Sequence, residues 1–398
     1  MAKICRIVDF FPSASEIVGD LGPNYYYYSR GSAEAGFEEH VICSRQKGQP
    51  EFEEVGKVKV HRVAPSDVPH ARRDLLWGAF AKKSLEKALE LKPDLLVGHN
   101  ALHFWAALHK KRLECHNIRL LTHLHGWIDF IFFAEHFPWL EGPATAFRDR
   151  LLDFSFFSQF LPVVLNSDFI VACDNSTRHD IQRYSGNTPI EVVHNGVDTD
   201  VFKPMKSNVK AEFGAERLLL NVSRPVPWKG LQYLIEAMPA INREFDGVKL
   251  LLLGFRRNDY GTYTQWLERL ASKRGVSNVV FGGKVPYFDL PKYYSAADCF
   301  VAPSYPDPSP KTVYEAQACN TPVAGVNGGG IPEIFGPESG LLFERRNPAD
   351  LAAKVVEILE NPKRFHGGRE IVEENATWKK CVKGLVGAYE KALSAPKP

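Results

Sequence analysis

Short apolar runs separated by helix-like segments recur along the whole chain, and this rhythm restricts the fold more than any other feature. A first series comprises Ile4–Phe10, Glu39–Cys43, Lys57–Val63, Leu95–Gly98, Arg119–Leu124, Phe169–Ala172 and Ile190–His194. A second comprises Leu218–Val222, Lys249–Leu253, Val279–Phe281, Cys299–Ala302, Thr321–Gly325 and Gly340–Phe343. Between the runs stand helical patterns such as Leu231–Phe245, Tyr263–Lys273, Leu290–Ser295 and Pro348–Glu360. Strands that are apolar throughout are buried on both faces, which means parallel sheets covered by crossover helices. The rhythm restarts near Leu218, after the polar segment Asp198–Glu216. The expectation is therefore an α/β protein of two tandem doubly wound, Rossmann-like domains facing a central cleft, with ligands beyond the carboxyl ends of the strands. The last helical stretch, Trp378–Leu393, fits either domain by its pattern alone.

At 398 residues, 44% of them hydrophobic and 24% charged, the chain has enough material for a core in each domain. A net charge of +2 gives no bulk electrostatic case for nucleic acid. The seven cysteines are scattered, odd in number and never in a C-x-x-C pair, which predicts reduced thiols in a cytoplasmic protein. The N-terminal MAKICRIVDFFP reads as a first strand rather than a signal peptide. No apolar run reaches the roughly 20 residues of a membrane span.

Chemistry concentrates between Pro303 and Glu333. Ser309 is a candidate N-cap and Pro310 suits a first helical position, so a helix is expected over Lys311–Cys319. The start of such a helix, at Ser309, Lys311 and Thr312, offers amides and a positive dipole end to phosphate. Glu315 lies one turn in, where a carboxylate can accept from a ribose diol. Gly328, Gly329 and Gly330 follow the next strand and permit close backbone approach to a ligand. Arg224 and Lys229, five positions apart in NVSRPVPWKG, can clamp a diphosphate and offset charge on a leaving group. The same pieces also describe a capped helix and a solvated loop, so neither segment decides alone.

In the first half, histidines gather at strand ends: His99 and His103 in VGHNALHFW, His123 and His125 in LTHLHGW. The H-x-x-x-H spacing raises a metal, but no Glu follows the first His and His99 sits at a strand end, so no metal is expected. Hydrogen bonding to a hydroxyl or phosphate fits these histidines better. Aromatic residues crowd Tyr25–Tyr28 and Trp127–Leu161, and basic residues cluster at Arg72/Arg73, Lys82/Lys83 and Lys110–Arg112. Core packing and solvated helix faces are the expected readings, with sugar stacking and contact with anionic lipid as the functional ones.

Taken together, HNGVDTDVF (His194–Phe202), NVSRPVPWKG, LLLLGF (Leu250–Phe255), VVFGGKVP (Val279–Pro286), AADCFVAPS (Ala296–Ser304), YEAQACNTPVAG (Tyr314–Gly325) and GGIPEI resemble the family 4 glycosyltransferases. These are retaining enzymes of the GT-B fold. The family carries an E-x7-E motif, whose first acid contacts the transferred sugar and whose second contacts the ribose. Here Asp307 and Glu315 hold those positions, the first one methylene shorter. The glycine that faces phosphate after the first acid is replaced by the neighbourhood Pro308-Ser309-Pro310, and Pro310 removes one amide. Arg224 and Lys229 match the family's phosphate-binding pair.

By the same resemblance, His99 takes the place of a histidine that contacts the donor sugar. Gly22, Asn24 and His125 fall on the acceptor side, and the family's G-G loop is altered to Gly19-Asp20-Leu21-Gly22. The backbone near Lys284 and Val285 would read the base. The resemblance also assigns residues 378–398 to the first domain with 1–200, leaving 201–377 as the donor domain. It implies transfer of a hexose from a UDP or GDP sugar to a carbohydrate, lipid-linked or small-molecule hydroxyl, with no obligatory cofactor or metal. Peripheral contact at the inner face of a membrane would run through the N-terminal domain. Two other readings stay open: a nucleotide-sugar epimerase or hydrolase of the same fold, and a non-catalytic nucleotide-sugar-binding protein.

Overall fold

The apolar runs become the central strands of two sheets, one wholly parallel and one parallel but for an edge hairpin. The computed structural model describes residues 1–11, 22–46, 48–65, 73–126, 160–254, 261–305, 307–366 and 368–395. Gly19, Asp20, Leu21, Arg72, Phe255 and most of the aromatic stretch Trp127–Leu161 lie outside the described residues. The chain divides into two compact units, Met1–His194 with Lys379–Pro398, and Asn195–Trp378.

Among the described residues the first unit holds eight strands: β1 (Lys3–Ile7), β2 (Glu38–Arg45), β3 (Phe52–Val55), β4 (Val58–Pro65), β5 (Leu95–His99), β6 (Arg119–Leu124), β7 (Phe169–Ala172) and β8 (Ile190–Val192). Their order is β3-β4-β2-β1-β5-β6-β7-β8. All neighbours are parallel except β3 and β4. The sequence reading lacks β3 because FEEV is short, polar and half exposed, as an edge strand can be. It forms by hairpin closure on β4, with Gly56 supplying a positive φ of 63° in the turn. In the central strands Ile4, Ile7, Ile42, Leu95, Leu96 and Val97 are fully buried, each contributing about 1.5–3 kcal/mol.

The second unit holds β9 (Arg217–Val222), β10 (Val248–Leu253), β11 (Val279–Phe281), β12 (Cys299–Ala302), β13 (Val323–Val326) and β14 (Gly340–Phe343). The order β11-β10-β9-β12-β13-β14 is wholly parallel. Leu218–Leu220, Leu250–Leu252 and Val301 are fully buried between the helical layers. The helix Pro348–Glu360 begins where Asn347 accepts from the Asp350 amide at 3.0 Å and Pro348 takes the first turn.

Each sheet reverses its winding once, between β1 and β5 in the first unit and between β9 and β12 in the second. Ligand crevices of open α/β sheets form beyond the carboxyl ends of strands at such points.

Candidate active site

In the second unit the loops after β9, β12 and β13 converge beyond three adjacent strands. The loop after β9 turns tightly, with Val226 N donating to Arg224 O at 2.9 Å and Lys229 N to Val226 O at 3.0 Å. Gly230 then takes a φ of 68°, and a Cβ there would collide with the Pro303 carbonyl. Only glycine allows the helix Leu231–Glu244 to start so close to the β12 loop. That loop is fixed in turn by Tyr305 N donating to Trp228 O at 2.9 Å.

Lys229 reaches across to Asp307, Nζ to Oδ2 at 2.8 Å, both side chains mostly buried. The Ser304 hydroxyl donates to the same carboxylate oxygen. Gly329, at φ 62°, lies against Asp307, where a Cβ would come within 2.9 Å of its carbonyl. Gly330 N donates to that carbonyl at 3.2 Å. Lys229, Asp307 and Gly329, far apart in sequence, are thus brought together. Arg224 is exposed at the mouth of the same loop.

The expected helix appears as Lys311–Ala318, but Ser309 does not cap it. The N-cap position belongs to Pro310, which has no side-chain donor or acceptor, and Ser309 is turned away with a φ of 44°. Its Oγ accepts from Asn195 N at 2.9 Å and its carbonyl accepts from Asn195 Nδ2 at 2.8 Å. Two prolines flanking Ser309 hold the backbone in a shape its Oγ cannot cap from. Lys311 and Thr312, half-buried, form the helix start. Glu315 is buried one turn on, and the Tyr294 hydroxyl donates to its Oε2 at 2.7 Å. Burial, then the Glu315 carboxylate, pushes the Tyr294 phenol well above its ordinary value, so it keeps its hydrogen. Lys284, exposed, and Val285, half-buried, follow β11 two strands from β9 at the sheet edge.

The first unit carries a separate cluster at its own reversal point. His99, His123 and His103 are fully buried, and His125 is half-buried. His99 Nδ1 lies 2.7 Å from His125 Nε2, and His99 Nε2 lies 3.1 Å from Arg6 Nη1. The direct sugar contact that the resemblance assigns to His99 therefore requires one of these bonds to open. Asn100 Oδ1 accepts from the His125 amide at 2.9 Å, and the Asn24 side chain meets His125 Nδ1 at 3.4 Å. Gly22 and Asn24 open the helix Gly22–Glu34, both buried.

His103 is not on a helix face shared with His99. It packs over Gly98 and meets Thr122 Oγ1 at 2.7 Å. Among the described residues, the grouping with metal-ligand proximity is His99, His123 and His125, their nitrogens within 4.8 Å of one another. Burial holds His103 down at about 3, burial and then Arg6 hold His123 at about 3, and burial, then His125, puts His99 well below the usual range.

Several supporting residues escaped sequence reasoning. Ser304, Tyr294 and Asn195 carry no sequence signal for their roles. Arg6 did carry one, a charge in the middle of the apolar strand KICRI.

Comparison with known proteins finds similarity along most of the chain. The model of the Glycosyltransferase Family 4 matches residues 25–201, and that of Glycosyl transferases group 1 matches residues 203–377. A D-inositol 3-phosphate glycosyltransferase of Segniliparus rotundus is 32% identical over 58% of this chain, which spans about half (54%) of that relative's length. An uncharacterized glycosyltransferase of Methanocaldococcus jannaschii is 28% identical over 98% of both chains. Sucrose-phosphate synthase of Thermosynechococcus elongatus superposes with a TM-score of 0.82 at 20% identity, covering 100% of each chain. HepE of Anabaena, solved in complex with UDP and glucose, gives 0.70 at 17% identity over 98% of this chain and 100% of its own.

Proposed function

For a chain that belongs to the family 4 glycosyltransferases and has the GT-B fold, we propose transfer of a hexose from a UDP or GDP sugar to a hydroxyl acceptor, with retention at the anomeric carbon. The observation that carries this reading is the meeting of Lys229, Asp307, Gly329 and the start of helix Lys311–Ala318 beyond β9, β12 and β13. A reversal point furnished with cations and a helix N-terminus suits a nucleoside diphosphate.

In this reading Arg224 and Lys229 hold the diphosphate, aided by the helix start at Lys311 and Thr312. They offset the charge that builds there as the bond from the anomeric carbon breaks and the leaving phosphate oxygen takes its electron pair. The acceptor oxygen bonds to the same face of that carbon, and its proton passes to a donor phosphate oxygen. Glu315 accepts from the ribose diol. Ser309 shapes the loop, Gly329 lets the backbone approach, and the backbone at Lys284 and Val285 reads the base. Asp307, with Oδ2 taken by Lys229 and Ser304, acts on the donor mainly by setting the ammonium in place. His125, Asn24 and Gly22 face the acceptor. The seven free cysteines, six of them buried, suit a reducing cytoplasm.

The test is a panel of UDP and GDP hexoses, scored by thermal shift and by release of the nucleoside diphosphate, with and without acceptors. An inositol phosphate is the first acceptor to try, given the relative's name. Ligand binding raises apparent stability, so binding donors reveal themselves before any acceptor is found. Turnover that depends on an acceptor and yields a product of unchanged anomeric configuration supports the reading. Turnover without acceptor favours the epimerase or hydrolase, binding without turnover favours the non-catalytic protein, and an inverted product overturns the mechanism.

A further inference from the structure

A fully buried ion pair sits in the centre of the first sheet, where apolar residues would cost less. Arg6 on β1 and Glu39 on β2 are each 0% exposed, joined Nε to Oε1 at 2.8 Å. Burying two charges this way is seldom favourable for stability alone, which prompts the question of what else the guanidinium does. Its Nη1 lies 3.1 Å from His99 Nε2.

A guanidinium only donates, and it does not lose its proton in a protein. Burial works against the charge of Arg6, and Glu39 together with the Tyr389 hydroxyl more than offsets it. His99 Nε2 must therefore be the bare, accepting nitrogen, and a neutral His99 carries its hydrogen on Nδ1. That hydrogen points at His125 Nε2, 2.7 Å away, which must accept in its turn. His125 then carries its own hydrogen on Nδ1, toward the Asn24 side-chain amide at 3.4 Å. The amide atom that receives it is the oxygen, an orientation decided by the network since amide O and N are assigned from their partners. The Tyr28 hydroxyl, 3.5 Å from the same amide atom, is then a second donor to it. Every member is thereby given one direction.

We infer that Arg6 is a positioning residue, whose guanidinium fixes the direction of the hydrogen-bond chain Arg6 to His99 to His125 to Asn24 and holds His125 as the Nδ1–H imidazole. Its bearing on acceptor binding rests on the proposed function of His125; the tautomers themselves do not. The opposite tautomer of His99 would set two N–H groups against each other in a site closed to water. A metal on the His99, His123 and His125 nitrogens meets the same obstacle. A cation on His99 Nδ1 would force the ring hydrogen onto Nε2, against Arg6.

The experiment is long-range proton–nitrogen correlation on the full chain labelled with ¹⁵N-histidine, each ring assigned by single substitution. In the wild type, His99 and His125 should each show a protonated Nδ1 and a bare Nε2. Arg6→Lys keeps a donor and should keep this pattern. Arg6→Met combined with Glu39→Met removes both charges without stranding either, and should lose the bare Nε2 signal of His99. An Nε2–H form of His99 in the wild type would overturn the inference. So would an unchanged pattern in the folded double variant, or loss of the His99 Nδ1 hydrogen on adding one equivalent of zinc. Should the double variant not fold, the wild-type spectrum still decides. A protein inactive toward every donor would count against the proposed function while leaving these tautomers untouched.

Discussion

Mild acid should unfold the first unit well before the second. Of the 13 histidines, only His366 belongs to Asn195–Trp378, and it is exposed. In the first unit His99, His103 and His123 are fully buried with values far below the ordinary one, at about 3 for the last two. The native state therefore holds them neutral, whereas an unfolded histidine titrates near about 6.5. Above that pH neither state gains. Below it the unfolded chain binds protons the native one refuses, so stability falls with falling pH toward the native values, about 3 for His103 and His123. Each such histidine removes about 1.4 kcal/mol at pH 5.5, and the three together about 4 kcal/mol. A domain commonly has about 5–15 kcal/mol to lose. Hydrogen exchange at pH 7.5 and 5.5, corrected for the intrinsic rate, should show protection in β5 and β6 falling about a thousandfold. Peptides from β9 and β10 should fall far less. Equal losses in both units, or none in β5 and β6, would refute the assignment of neutral buried histidines. His123→Phe should remove the part of the loss that this one histidine contributes, about 1.4 kcal/mol at pH 5.5.

Three substitutions probe the second unit. Lys229→Ala should lower the transfer rate by a factor on the order of 100, as expected for loss of one contact to the leaving group, and steady-state kinetics will show it. Tyr294→Phe removes a charge-assisted bond to Glu315 and should cost about 1.5–3 kcal/mol in denaturant unfolding, with the donor KM rising more than kcat falls. Ser309→Ala keeps a positive φ but loses the acceptor for Asn195 N, while Ser309→Gly loses the acceptor and relieves the backbone. The glycine variant should therefore be the more stable of the two by about 1 kcal/mol in urea melts.

The sheets were legible because their central strands are unbroken apolar runs. LLLN in β9 and LLLL in β10 have no other place to go than a doubly covered core. The short polar β3 was not, since an edge strand forms by pairing and leaves little mark in composition. At the candidate site, residues that bring charge or backbone freedom were visible: Lys229, Glu315, Gly329. What could not be read was which group each one meets. Asp307 and Ser309 show this best. Both lie where the sequence suggests, yet the carboxylate is occupied by Lys229 and Ser304, and the hydroxyl accepts from Asn195 without capping the helix. Such pairings are set by tertiary approach, as is the meeting of Arg6 with His99, whose positions are separated by most of four strands.

The loop from Asp307 to Pro310 has a consequence for the thermodynamics of ligand capture. Flexible glycine-rich phosphate loops must be ordered when the ligand arrives, and that ordering reduces affinity. Here Pro308 and Pro310 restrict the chain on either side of Ser309, and Asn195 ties the serine down by two bonds. The restriction is already present in the unfolded chain at the prolines, so folding and binding each lose less conformational freedom there. On the proposed function, the loop is held in shape before the donor enters, trading adaptability for a smaller entropic penalty.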